Sequence, residues 1–201
     1  MHRARPRDHR GGDDVDRRHR GLGGHRRRPW RVRPAAAGIA MDVEARLRQL
    51  EARAAVQDLL GAYADAVDRQ DVEALGLLFA DDVEWVSPGR AEASGRAAVL
   101  DYYAAWFASP YRGSRHHVSN VVVGVAADGL EATARAYFFE VVAHGDASLV
   151  GWGNYVDVCA PDPDGRWRIR HKTVELLRLA RLDEGWAGPE AILTPDRGGA
   201  A

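Results

Sequence analysis

The chain has 201 residues, of which 46% are hydrophobic, and a formal net charge of -1. A chain of this size and composition can bury the core of one ordinary domain. Its single cysteine, Cys159, excludes an internal disulfide and a cysteine-rich metal site, which favours a cytoplasmic protein. No run of about 18 apolar residues occurs, so we expect no membrane span.

Residues 1–40 are rich in Arg, Gly, His and Pro. Such a segment buries too little apolar surface to offset the entropy lost on ordering, so we predict a disordered basic tail. A mis-assigned translation start is the favoured explanation, because Met41 directly precedes the first helical pattern. An arm that binds nucleic acid through the arginine run 26–28 is a less favoured alternative. Nucleic acid is therefore not the expected partner.

Three helices are predicted within a domain that spans residues 41–186. Apolar residues recur with a period of about 3.6 between positions 42 and 68, and this stripe includes Tyr63 and Val67. Asp71 is the predicted N-cap of a short second helix that continues to Phe79. A third helix is predicted at about 96–108, with Pro110 just beyond its end.

The remainder of the domain is predicted to be sheet. A short strand at 83–86 stops at the Ser-Pro-Gly sequence 87–89. A longer strand through His116 ends near the Asp128-Gly129 hairpin signal, and strands at about 130–143, 149–160 and 166–178 follow. Helices followed by a meander of long strands predict an α+β fold with three helices on one face of a strongly curved, mainly antiparallel sheet that encloses a pocket. Residues 187–201 are predicted to be a loose tail.

Four segments carry a family resemblance: 63–71 (YADAVDRQD), 78–85 (LFADDVEW), 115–120 (RHHVSN) and 165–169 (GRWRI). In this order and at these separations, the segments resemble SnoaL-like proteins of the nuclear transport factor 2-like superfamily. The resemblance covers nearly all of residues 43–178. It implies a cone-like fold with a pocket between the helices and the sheet.

The resemblance also implies a catalytic pair. Dehydratases and dehydrochlorinases of the superfamily use an aspartate near the end of the first helix and a histidine on a long strand to abstract a proton, and Asp68 and His116 match these positions. The dehydrochlorinases add a lysine in the first helix, but the equivalent stretch 61–64 is uncharged here, which argues against halide elimination. The alternatives for Asp68 and His116 are a structural hydrogen-bonded pair and two residues that are not in contact. Regular alternation along the strand places His117 on the opposite face, and a β-bulge here would exchange the two histidines.

Five further residues are candidates for substrate binding. Tyr63, Trp85 and Trp106 are aromatic residues assigned to the pocket wall, with simple core packing as the alternative. Asn120 is expected to share the face of His116, and His171 is expected to point inward. No metal site is expected, because these residues are too few to form a ligand set. On the last strand, the basic residues Arg168, Arg170 and Lys172 are expected to face solvent.

These features favour a cofactor-independent acid–base lyase or isomerase, of the dehydratase or cyclase type, that acts on a small hydrophobic oxygenated substrate. The alternatives implied by the resemblance are a non-catalytic ligand-binding protein and the small (beta) subunit of a dioxygenase. Val121, Val123 and Val125 are expected to form an apolar outer face of the sheet, which predicts a homodimer or homotrimer.

Overall fold

The structure is a computed structural model that describes residues 42–187. The predictions for residues 1–40 and for the tail beyond Ala187 lie outside the described residues. The elements in chain order are α1 (Val43–Asp68), α2 (Val72–Leu78), β1 (Phe79–Ser87), β2 (Ala91–Ser94), α3 (Arg96–Phe107), β3 (Tyr111–Val125), β4 (Ala132–His144), β5 (Ala147–Pro161) and β6 (Trp167–Arg181).

The three predicted helices form, and two of them begin at aspartate caps. The Asp42 carboxylate accepts a hydrogen bond from the amide of Glu44 at 3.0 Å. The Asp71 carboxylate accepts one from the amide of Ala74 at 2.8 Å, as expected of an N-cap. The apolar stripe of α1 is buried against the sheet, and Tyr63 within it is 3% exposed.

The six strands lie in the order β2-β1-β6-β5-β4-β3. Only the β1–β6 pair is parallel among the described strands. The sheet is curved and unclosed, and the helices pack on it, so the predicted α+β fold is confirmed. The short strand β2 was not predicted. The Ser-Pro-Gly sequence was expected to end β1 in a loop, but it makes a turn, and the residues after the turn pair with β1 as β2. Within residues 42–187, no helix is long and apolar enough to cross a membrane.

A bulge in β3 corrects the prediction for the valines near its end. Between Ser119 and Val122, β3 contains one residue more than the stretch of β4 that pairs with it. Asn120 lies in this stretch and adopts a positive φ of 51°. The extra residue reverses the alternation of side chains beyond it. Val123 is therefore 4% exposed in the core, and Val121 and Val125 pack against the core as well. These valines do not form the outer face.

A second bulge lies in β6 at Arg170. Neighbouring residues of β5 pair with Ile169 and His171, which leaves Arg170 without a counterpart. The alternation again reverses, so Ile169 and Lys172 are both fully buried on the inner face. Lys172, expected to face solvent, therefore points into the core.

Candidate active site

A cavity of about 1270 Å³ lies between the helices and the inner face of the sheet. Pockets for drug-sized ligands are usually about 300–1,000 Å³, so this cavity has room for a substrate of more than one ring. Tyr63, Trp85 and Trp106 border it. The aromatic residues in its wall are Tyr63, Trp85, Tyr102, Tyr103, Trp106, Tyr111, Phe138 and Tyr155.

Asp68 and His116 meet at the wall of this cavity. Nδ1 of His116 lies 2.7 Å from Oδ1 of Asp68, and the backbone amide of His116 donates to Oδ2 at 2.9 Å. The side chain of His116 is 6% exposed and that of Asp68 is 11% exposed. His116 borders the cavity, and Asp68 is the last residue of α1 behind it. The structure thus brings together the two residues to which the sequence assigned catalysis, and His117 is exposed on the other face.

A hydroxyl chain supports the Asp68 carboxylate from a second side. Oγ of Ser114 donates to Oδ1 of Asp68 at 2.6 Å. The hydroxyl of Tyr111 in turn donates to Oγ of Ser114 at 2.5 Å. Ser114 lies two residues before His116 on the same face of β3, so both side chains reach the end of α1. Asp68 therefore accepts hydrogen bonds from three donors, which hold it as an anion.

Glu140 contacts the other nitrogen of the imidazole. Its Oε2 lies 3.1 Å from Nε2 of His116, and its side chain is 10% exposed. The two residues are direct partners across the β3–β4 pair. His116 is therefore held between two carboxylates, with Asp68 on one edge of the ring and Glu140 on the other.

This arrangement shifts the acid–base equilibria of the site. Burial alone lowers the pKa of His116, but the hydrogen bond and charge of Glu140, followed by those of Asp68, outweigh burial and raise that pKa above its ordinary value. Burial alone raises the pKa of Asp68, but the hydrogen bonds from Ser114 and His116 together lower it. The two carboxylates therefore stabilise the charged form of the His116 imidazole.

A second polar cluster lies deeper in the cavity wall. The hydroxyls of Tyr63 and Tyr103 are 2.6 Å apart, and Nε1 of Trp85 donates to the Tyr103 hydroxyl at 3.0 Å. Burial raises the pKa of both phenols, so they remain neutral hydrogen-bond donors at physiological pH. Such groups can bind a carbonyl or hydroxyl oxygen of a substrate.

A buried ion pair lies beneath this cluster. Nζ of Lys172 is 3.1 Å from Oδ2 of Asp157, and neither side chain is exposed. The ammonium also lies 3.8 Å from the ring centroid of Tyr63 and 4.1 Å from that of Tyr155. Lys172 is thus held both by a carboxylate and by two aromatic faces.

The structure places two predicted site residues away from the cavity. Asn120 occupies the bulge in β3 and is exposed, so the bulge removes it from the face of His116. His171 follows the bulge at Arg170 and lies on the outer face, where Nε2 is 3.0 Å from Oγ1 of Thr173. Both expectations assumed regular alternation, and both are wrong for the same reason.

Sequence reasoning did not identify Glu140, Ser114, Tyr111 or Tyr103 as site residues. Glu140 offered a signal, because it is the one charged residue in the apolar run 136–143 and alternates with the inward-facing Phe138. Ser114 gave none, since its partner Asp68 is distant in sequence, and Tyr111 gave none, since it reaches Asp68 only through Ser114. No group of three metal-ligating side chains was found among residues 42–187.

Several solved structures share this fold. A candidate scytalone dehydratase from Novosphingobium aromaticivorans is 22% identical, with a TM-score of 0.60, over 69% of this chain and 91% of that chain. A type 3 hexachlorocyclohexane dehydrochlorinase from Novosphingobium barchaimii is 21% identical, with a TM-score of 0.60, over 75% and 99%. A nuclear transport factor 2-like protein from Salmonella enterica is 16% identical, with a TM-score of 0.58, over 63% and 92%.

None of the curated proteins matches the chain. The family model of the SnoaL-like domain matches residues 48–173, which include every residue of the His116 site. This match spans more than half of the chain and agrees with the fold of the structural relatives. The protein is a member of the SnoaL-like domain family.

Proposed function

We propose that this protein is a cofactor-independent acid–base lyase or isomerase, of the dehydratase or cyclase type. The observation that carries the proposal is His116, which borders a large cavity while its Nδ1 lies 2.7 Å from Asp68. Histidine exchanges protons near neutral pH, and a carboxylate behind the ring fixes its tautomer and stabilises its charged form. The pair can therefore move a proton to or from a bound substrate.

The cavity wall indicates the kind of substrate. Most of the wall is aromatic or aliphatic, which suits a hydrophobic ring system. The Tyr63 and Tyr103 hydroxyls use one proton for the bond between them, and the remaining phenol proton can be donated to a carbonyl oxygen, whose polarisation acidifies the neighbouring C–H group. A small hydrophobic oxygenated molecule, such as a ring ketone with a β-hydroxyl group, meets both requirements. Dehydration, cyclisation and double-bond migration all begin with proton transfer at such a carbon.

The test uses two reactions of general probes. Exchange of the α-protons of 2-tetralone in D₂O, followed by NMR, reports proton abstraction, and loss of water from a panel of cyclic β-hydroxy ketones, followed by enone absorbance, reports elimination. His116→Gln is expected to lower turnover in at least one reaction by about 100-fold or more. His117→Gln is the matched control, since His117 is exposed on the opposite face, and it should leave both rates unchanged. Equal rates in wild type and His116→Gln contradict the proposal.

A non-catalytic ligand-binding protein is the second candidate. Both ring nitrogens of His116 are occupied by carboxylates, an arrangement that structural ion-pair networks also adopt. In that case, 2-tetralone should bind, as measured by calorimetry, without exchange of its protons. Stable co-purification with a large dioxygenase subunit would instead support the small-subunit alternative.

Self-association remains a prediction, but it is supported by residues of β4 in place of the valines of β3. Tyr137, Phe139 and Val141 of β4 are 54%, 43% and 45% exposed on the outer face of the sheet. The ring of His117 lies against Phe139, with 6.3 Å between centroids. A contiguous apolar face of this kind is typical of an interface, and we infer a homodimer or homotrimer. We also propose a cytoplasmic location, which the single cysteine favours.

A further inference from the structure

Glu140 is a buried carboxylate that core packing does not require. It lies on β4 between Phe138 and Val142, on the face that borders the cavity. Burial of a carboxylate is costly unless a partner compensates for it, and His116 Nε2, at 3.1 Å, is that partner. The side chain thus has both access to the cavity and a proton-carrying neighbour.

The adjacent strand leaves room for this carboxylate. Gly151 of β5 is the direct partner of Glu140 across the sheet. A Cβ atom at this position would lie 3.1 Å from Oε1 of Glu140 and 3.0 Å from Cδ1 of Leu179. Both distances are tighter than ordinary contact, so glycine here keeps the space that the carboxylate occupies. The cationic side chain of Arg90 also borders the cavity and interacts electrostatically with Glu140.

We propose that Glu140 is the proton acceptor of the site and that His116 is the proton donor. This inference rests on the proposed acid–base function and specifies which of the two residues accepts the proton and which donates it. The resting geometry supports the assignment, because each ring nitrogen of His116 faces a carboxylate, Nε2 that of Glu140 at 3.1 Å and Nδ1 that of Asp68 at 2.7 Å. An imidazolium cannot accept a proton, whereas the carboxylate beside it can.

The proton transfers balance over one cycle. The substrate hydroxyl replaces Glu140 as the acceptor of the Nε2 proton, and Glu140 then takes the proton from the carbon next to the carbonyl group. The electron pair of the broken C–H bond forms the C=C bond, the C–O bond breaks, and the leaving oxygen takes the His116 proton to become water. Glu140 is then neutral and His116 uncharged. Transfer of the proton on Glu140 to Nε2 of His116, over the 3.1 Å between the two groups, restores the resting site.

The two probe reactions separate the roles of the two residues. Exchange of the 2-tetralone α-protons needs an acceptor but no leaving group, whereas dehydration needs both groups. Glu140→Gln is therefore expected to lower exchange and dehydration by about 100-fold or more. His116→Gln keeps an amide donor towards Glu140 and is expected to lower dehydration by about 100-fold while exchange falls less than about tenfold.

Glu175→Gln is the matched control, because this carboxylate lies on the outer face of β6 and binds Asn154. It is expected to leave both reactions unchanged. If Glu140→Gln keeps normal exchange while His116→Gln loses both reactions, His116 is the acceptor, so the inference is wrong and the proposed function stands. If wild type catalyses neither reaction with any probe, the proposed function and the inference both fail.

Glu140→Asp provides the test should Glu140→Gln not fold. It keeps the negative charge beside His116 but withdraws the carboxylate by one methylene group. Exchange is expected to fall by about tenfold or more, since proton transfer depends strongly on distance, while circular dichroism stays that of the wild type. Exchange at the wild-type rate would contradict the assignment.

Discussion

Lys172 and Asp157 form an ion pair in the centre of the core, with Nζ 3.2 and 3.1 Å from the two carboxylate oxygens. The residues are direct partners across β5 and β6. The ring of Tyr63 covers the ammonium, so the pair supports the wall of the cavity from behind. The arrangement links the stability of the core to the position of a proposed substrate-binding hydroxyl.

Removal of one member of this pair should be costly. Lys172→Met leaves Asp157 as an uncompensated buried carboxylate, and we expect the free energy of unfolding to fall by about 3–5 kcal/mol. The double variant Lys172→Met with Asp157→Leu removes both charges and should recover most of that loss. Urea unfolding measures the free energy of unfolding of both variants. A value for Lys172→Met within about 1 kcal/mol of wild type would contradict the role of the pair.

The Ser114 hydroxyl should matter more than that of Tyr111. Ser114→Ala removes a hydrogen bond to the Asp68 carboxylate, and a bond to a charged group contributes about 1.5–3 kcal/mol. Tyr111→Phe removes only a bond between neutral hydroxyls, for which about 0.5–1.5 kcal/mol is expected. Urea unfolding of both variants checks this order. An equal or larger loss in Tyr111→Phe would show that Ser114 does not act chiefly through Asp68.

The contribution of the site to stability should depend on pH. The folded pKa of His116 is raised, so its contribution is complete below the unfolded value of about 6.5 and is lost as the pH rises through the folded value. The folded pKa of Asp68 is lowered, so its contribution is complete above about pH 3.9 and is lost as the pH falls through the folded value. Both contributions are therefore complete between about pH 4 and 6.5.

Comparison of wild type with His116→Gln tests this dependence. The groups that face the imidazole are Asp68 from α1, Ser114 from β3 and Glu140 from β4. The difference in free energy of unfolding should be larger at about pH 5.5 than at about pH 9, because wild type loses the charged imidazole at the higher pH. A difference that stays constant or widens towards pH 9 means that the folded pKa of His116 is not raised.

The outer face of β4 should drive self-association. Phe139→Ser replaces a 43% exposed aromatic side chain with a small polar one, and we expect weaker association without loss of the folded structure. Sedimentation equilibrium of the full chain at micromolar concentration measures the change. Leu130→Ser is the control, since Leu130 is exposed near the β3–β4 turn, away from this face. A monomeric wild type would contradict the predicted homodimer or homotrimer.

Local patterns in the sequence determined the helices and the hairpin. The period of α1, the Asp71 cap and the Asp128-Gly129 turn depend on contacts within a few residues, and Gly129 adopts the positive φ of 76° that such a turn requires. The Asp68–His116 pair was also found, but through the family resemblance, since no short-range pattern joins residues that far apart.

Only the tertiary structure decided which way several side chains point. The bulges at Asn120 and Arg170 each insert one residue, and the alternation of faces beyond them reverses. Asn120 and His171 thereby leave the site, while Lys172 enters the core. Glu140 became part of the site because β4 pairs in register with β3, which sets its carboxylate beside His116. Strand register and bulges depend on long-range packing, so a local pattern in the sequence does not specify them.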